Sequence, residues 1–195
     1  MVRIAIFASG SGTNFENIIQ HINNEDIPNG LCATLICDNN KAYAIERAKR
    51  LSIPCHVVNF KDYPNKQAYE SEVLKVLKEC KVDLIVLAGY MRIISPLLLS
   101  AYKHRIINLH PAYLPQFPGK QSILDAYEAK VKTTGVTVHY IDEGIDTGEI
   151  IHQEKIQIDP TWSLETLEEH VHALEYKMFP KVIKKVCKLI EEELS

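Results

Sequence analysis

The sequence has no basic stripe, no long apolar run and no disulfide-forming pattern of cysteines, and each absence removes a class of function. Its lysines and arginines are scattered, and the 195 residues carry a formal net charge of −3, which argues against nucleic acid as the main partner. The five cysteines, Cys32, Cys37, Cys55, Cys80 and Cys187, are odd in number and lie mostly in apolar runs. No pair has zinc-finger spacing, so they read as reduced thiols in a cytoplasmic protein, and no metal site is expected. No apolar run is long enough to span a bilayer. The start, Met1-Val2-Arg3-Ile4, enters a strand pattern without a charged leader, so neither a secretory signal nor a membrane partner is expected. There is no internal repeat, linker or low-complexity tract, and one domain over 1–195 is expected.

What is present is an alternation of strand and helix. Apolar residues make up 46% and charged residues 24%, enough for a packed core. Strand patterns occupy 2–8, 31–37, 55–58, 83–88, 105–109, 135–141 and 149–158. Helical patterns lie between them, with a last one at 164–193 that Pro180 should divide in two. The continuous apolar runs, VRIAIFA and DLIVLA above all, suit strands covered on both faces. The expected fold is α/β: a Rossmann-like open, mostly parallel sheet with helices on both faces, ending in a β-hairpin and helices.

Four places carry candidate chemistry. Ser9-Gly10-Ser11-Gly12-Thr13-Asn14 is a glycine-rich turn between strand and helix, which aims free N–H groups and the positive helix end at an anion. Position 15 is Phe15, where a dinucleotide fingerprint wants glycine, and the Lys-Ser/Thr of a P-loop is missing. A single phosphate monoester fits better than a pyrophosphate. Asn108 and His110 share parity at the end of a strand, before three prolines and a glycine forbid regular structure over 111–119. An amide beside an imidazole there can hold an oxyanion and move a proton, or simply cap a turn. The 89–94 segment can wall a pocket for a flat heterocycle, or be core. The acidic turn 142–148 can be solvated, or can hold Asp146 inward. Glu175 sits beside the helical stripe of Leu167, Val171, Leu174 and Met178, where it can reach a ligand or remain a surface charge.

Three segments together resemble the folate-dependent formyltransferase family: SGSGTN at 9–14, AGYMRIISP…INLHPAYLPQFPG at 88–119 and GVTVHYIDEGIDTGEII at 135–151. The resemblance covers nearly the whole chain. It implies formyl transfer from 10-formyltetrahydrofolate to the amine of glycinamide ribonucleotide in purine synthesis, without a metal. It further implies that Asn108, His110 and Asp146 form the catalytic trio. Gly12, Thr13 and Asn14 match the phosphate-binding turn, and Glu175 the contact to the ribonucleotide. Met91, Arg92, Ile93 and Ile94, with Asp142, Glu143, Gly144, Ile145 and Asp146, match the folate-pocket segments, and Asn108 belongs to that pocket too. Lys66 stands where the pattern usually has an arginine, without arginine's planar fork for a folate carboxylate. At 120–123 the chain departs from the histidines that relatives often carry, so no catalytic role is assigned to that stretch.

On this reading residues 1–100 serve phosphate and nucleotide, and 101–195 catalysis and folate. The partners are two small molecules, and the protein is a monomer or homodimer. The family's tRNA-directed members carry a further C-terminal domain and its hydrolases an N-terminal one; this length is expected to leave room for neither. The competing readings are a formyltransferase acting on a sugar nucleotide, and a non-catalytic Rossmann-like module using Asp38 for ribose.

Overall fold

The computed structural model describes residues 1–195. Its frame is one seven-stranded sheet with the order β3-β2-β1-β4-β5-β6-β7. The strands are β1 (Val2–Ala8), β2 (Gly30–Cys37), β3 (Cys55–Val57), β4 (Leu84–Leu87), β5 (Ile106–His110), β6 (Thr133–Tyr140) and β7 (Ile150–Gln157). The first five run parallel. The last two are antiparallel to their neighbours, as a hairpin closing the sheet. The expected mostly parallel α/β fold is therefore the observed one. No helix is long and apolar enough to cross a membrane.

Side-chain parity in the strands builds two cores. Ile4 and Ile6 of β1 face α1 (Thr13–Asn23) and α6 (Leu164–Leu194), in the larger cluster with Phe15, Ile18 and Phe179. Ala5 and Phe7 point the other way, toward α3 (Lys66–Glu79) and α4 (Pro96–Ala101), with Tyr69, Val73 and Leu98. Two shorter helices, α2 (Ala44–Arg50) and α5 (Ser122–Glu128), complete the layers. Burying both faces explains why β1 and β4 are apolar throughout rather than alternating.

Strand register fixes where a ligand can bind. Phe7 pairs with Leu87, and Leu87 with Asn108. The residues that follow, Ser9, Gly89 and His110, therefore emerge along one edge. From β1 the chain moves outward to β2 and β3, whereas β4 leads to β5 on the other side. The crevice between β1 and β4 is the switch point at which open α/β sheets bind ligands.

One expectation is corrected. Pro180 does not divide the C-terminal segment: α6 runs 31 residues without a break. The proline lacks the N–H that would bond the Tyr176 carbonyl four residues back. Asn17 of α1 supplies a donor instead, with Nδ2 2.9 Å from that oxygen. The tertiary bond satisfies the group that proline orphans, so the helix continues.

The replacement of Asn17 is predicted to cost about 1–3 kcal/mol, the usual penalty for a deserted buried acceptor. In a Pro180→Ala background the restored backbone N–H takes over, and Asn17→Ala should then cost clearly less. Urea unfolding of the four proteins checks this; an equal cost in both backgrounds would refute it.

Candidate active site

Asn108 and His110 leave β5 on one side, and β6 sets His139 directly opposite Asn108. Asn108 Nδ2 lies 3.3 Å from His139 Nε2. The hairpin tip returns Asp146 to the same point: Oδ2 is 3.5 Å from His110 Nδ1, and Oδ1 is 3.5 Å from His139 Nε2. The Gly119 amide donates to Asp146 Oδ2 at 2.9 Å. Backbone carbonyls select the tautomers. His110 Nε2 donates to Phe117 O and His139 Nδ1 to Tyr140 O, both at 2.8 Å. That leaves His110 Nδ1 and His139 Nε2 as the ring nitrogens facing the carboxylate.

Local turn chemistry aims Asp146. Its backbone is left-handed, with φ of 54°, a conformation in which aspartate is enriched. Asp142 Oδ1 closes the loop by accepting from Gly144 N at 3.0 Å and Thr147 Oγ1 at 2.8 Å. Gly148 admits the close return of the chain, since a Cβ there would collide with the Tyr140 carbonyl. Burial works to raise the Asp146 carboxyl. The hydrogen bonds from His139 and Gly119 and the nearby imidazoles outweigh it and hold the group below the ordinary carboxylate range.

The first glycine turn forms the far end of the cavity. Gly12 has φ of 73° and starts α1 without a side-chain cap, so the first N–H groups of the helix are left for a ligand. A Cβ on Gly12 would sit 2.7 Å from that of Ala44. Arg47 Nε holds the Ser11 carbonyl at 2.7 Å, and Arg47 and Arg50 both pair with Glu16. These two arginines thus neutralise a carboxylate on the first turn of α1, which would otherwise repel an anion. Asn14 Nδ2 donates to Glu175 Oε2 at 3.0 Å, and His172 Nδ1 meets the same oxygen at 2.9 Å. Glu175 is therefore buried and paired rather than a surface charge.

The loop 89–94 is pinned at three points. Ser9 N donates to Gly89 O at 3.1 Å, and Ser9 Oγ accepts from Met91 N at 3.0 Å. Arg92 pairs with Asp38 and stacks 3.9 Å above the Phe60 ring. Ser95, just past the loop, donates from its N and Oγ to the buried Glu70. The pinning turns Met91 and Ile93 outward, where they are half exposed beside the equally exposed Ile145. Asp38, the carboxylate invoked for a ribose contact, is buried and pairs with Arg92 through Oδ2.

All of this surrounds one cavity of about 500 Å³. It is lined by Gly12, Thr13, Asn14, Met91, Arg92, Ile93, Ile94, Asn108, His110, Asp142, Gly144, Ile145, Asp146 and Glu175, fourteen of the sixteen candidate residues. The other two do not line it. Lys66 opens α3, where its charge bears on Glu70. Glu143 faces an adjoining groove beside Lys103 and His104. Both halves of the chain line the cavity, 89–94 from the first and Glu175 from the second. The site also contains His139, the Gly119 amide and His172, which the sequence did not single out. For His139 the available signal was its parity, opposite to the core-facing Val136 and Val138.

Residues 2–183 match the family described as Formyl transferase. The chain belongs to that family. It is 47% identical over 189 residues to the phosphoribosylglycinamide formyltransferase of Bacillus subtilis, covering 97% of this chain and 96% of that one. It is also 39% identical to the trifunctional purine biosynthetic protein adenosine-3 of Drosophila pseudoobscura, over 93% of this chain and 13% of that larger protein. Among solved structures, glycinamide ribonucleotide transformylase 1 of Geobacillus kaustophilus superposes with a TM-score of 0.93 at 50% identity, over 96% of this chain and 99% of that one. The family's fold and this chain's fold are the same.

The depressed carboxyl of Asp146 makes a pH prediction. Its stabilising contribution is complete above the unfolded carboxylate value of about 3.9 and is lost as pH falls through the lower folded value. The stability advantage of the wild type over Asp146→Asn should thus hold steady down to about pH 4 and shrink below it. Urea midpoints of both proteins across that range measure it; an advantage that grows on acidification would contradict the assignment.

Proposed function

We propose that the chain transfers the formyl group of 10-formyltetrahydrofolate to the amine of glycinamide ribonucleotide, yielding formylglycinamide ribonucleotide and tetrahydrofolate. The observation that carries this reading is the convergence of Asn108, His110 and Asp146 in a cavity that also contains the uncapped start of α1. Cavity, trio and anion site together call for a substrate with a reacting centre at a fixed distance from a phosphate. The names of the relatives supply the same substrate. The chain acts as one catalytic unit.

The phosphate binds the N–H groups at Gly12, Thr13 and Asn14, favoured by the helix dipole. Glu175 receives a donor of the ribonucleotide. The flat ring of the formyl donor lies against Met91–Ile94, with Ile145 and the 142–146 turn opposite, where apolar side chains meet exposed backbone groups.

The amine nitrogen attacks the formyl carbon, and the carbonyl oxygen becomes anionic. Asn108 Nδ2–H and the protonated His110 stabilise that charge; one such donor is typically worth about 10²–10³ in rate. Asp146 faces the His110 ring at Nδ1 and fixes its orientation. The C–N bond to the folate then breaks, and the proton lost by the attacking amine is matched by one gained at the departing folate nitrogen. His110 Nδ1–H gives its proton to the departing folate nitrogen, and the ring, oriented by Asp146, recovers a proton from the attacking amine.

A formyl-transfer assay with the two substrates tests the reaction; no product with glycinamide ribonucleotide would overturn it. Asn108→Ala should lower kcat by about 10²–10³ with little change in either KM. A change confined to KM would remove the oxyanion role. Separately, calorimetric titration should show much tighter binding of glycinamide ribonucleotide than of its dephosphorylated riboside. Equal affinities would sink the phosphate site at the glycine turn and favour a different amine substrate.

A further inference from the structure

Glu175 is held asymmetrically. It is 4% exposed, and both of its protein donors meet one oxygen. Asn14 Nδ2 and His172 Nδ1 lie 3.0 and 2.9 Å from Oε2. No protein group donates to Oε1, which is not sealed away and so opens on the cavity that Glu175 lines. Beside it, Asn14 Oδ1 is buried and has no partner. Two acceptors thus wait together at the ribonucleotide end.

We infer that His172 is a positioning residue: by donating to Oε2 it fixes the Glu175 side chain so that Oε1 is presented to a donor N–H or O–H of the ribonucleotide. The inference rests on the proposed reaction and deepens it. A nearly buried carboxylate is costly unless paired, and the imidazolium is the only cationic partner that Glu175 has. His172 sits one turn before Glu175 on α6, where residues three apart face each other. Its side chain is about half exposed, so the ring exchanges protons with solvent freely. The Glu175 hydrogen bond outweighs burial and keeps the ring protonated to higher pH than an ordinary imidazole. The charged groups bearing on the ring are Glu175 and Glu168, both on α6. From α1 it meets the uncharged Asn14 across the shared oxygen. Loss of the proton weakens the clamp, so ribonucleotide affinity should fall as pH rises.

Steady-state kinetics test this. His172→Ala should raise KM for glycinamide ribonucleotide about tenfold, as expected for losing a charge-assisted bond. It should leave kcat and the KM for 10-formyltetrahydrofolate unchanged, and those two values report that the variant is folded. His172→Gln, which donates without titrating, should recover most of the loss. The ratio of ribonucleotide KM between the wild type and His172→Gln cancels titration of the substrate amine. That ratio should rise as the pH climbs above the ordinary imidazole value of about 6.5. An unchanged KM in His172→Ala, a fall in kcat, a glutamine variant no better than alanine, or a flat ratio overturns the inference while leaving the reaction intact. A wild type that forms no product removes both.

Discussion

The Asp146 carboxylate joins two pieces of chain that nothing else holds together so closely. One oxygen takes the Gly119 amide and faces His110; the other faces His139. Through these contacts the hairpin tip, the proline-rich loop and the ends of β5 and β6 become one wall. The Asp146 carboxyl is held below the ordinary carboxylate range, so it meets these groups as an anion. The structural clamp and the proposed catalytic trio therefore share one carboxylate.

The opposite wall is built by neutral and paired groups. Ser9 links the glycine turn to the loop after β4 through its backbone and its hydroxyl. Arg92 is spent on Asp38 and Phe60, and Glu70 holds the end of the loop. Arg47 and Arg50 are spent on Glu16. These charges are therefore scaffolding, and the proposed anion site relies on backbone N–H groups. Those groups are rigid and lose little entropy when a ligand binds.

Much of this was legible from residue order. The apolar strands and the parity of Asn108 with His110 follow from local pattern, whereas the acidic turn left open whether Asp146 faces inward. The misjudged features share a cause. Pro180 reads as a break, because its compensating donor, Asn17, lies on another helix. His139 reads as an alternating strand residue until β5 pairs with β6. His172 draws no notice on its helix until α1 packs beside it and Asn14 meets the oxygen it shares on Glu175.

The sequence by itself determined the elements, their order and the chemical kinds of residue at the strand ends. Those depend on interactions between near neighbours, and near neighbours are printed side by side. The tertiary structure alone decided which charges are free. A carboxylate or guanidinium takes its role from whatever lies within about 4 Å, and here those partners come from distant parts of the chain. Asp38 is neutralised, Glu175 is half offered and Asp146 takes the Gly119 amide while facing two imidazoles for that reason.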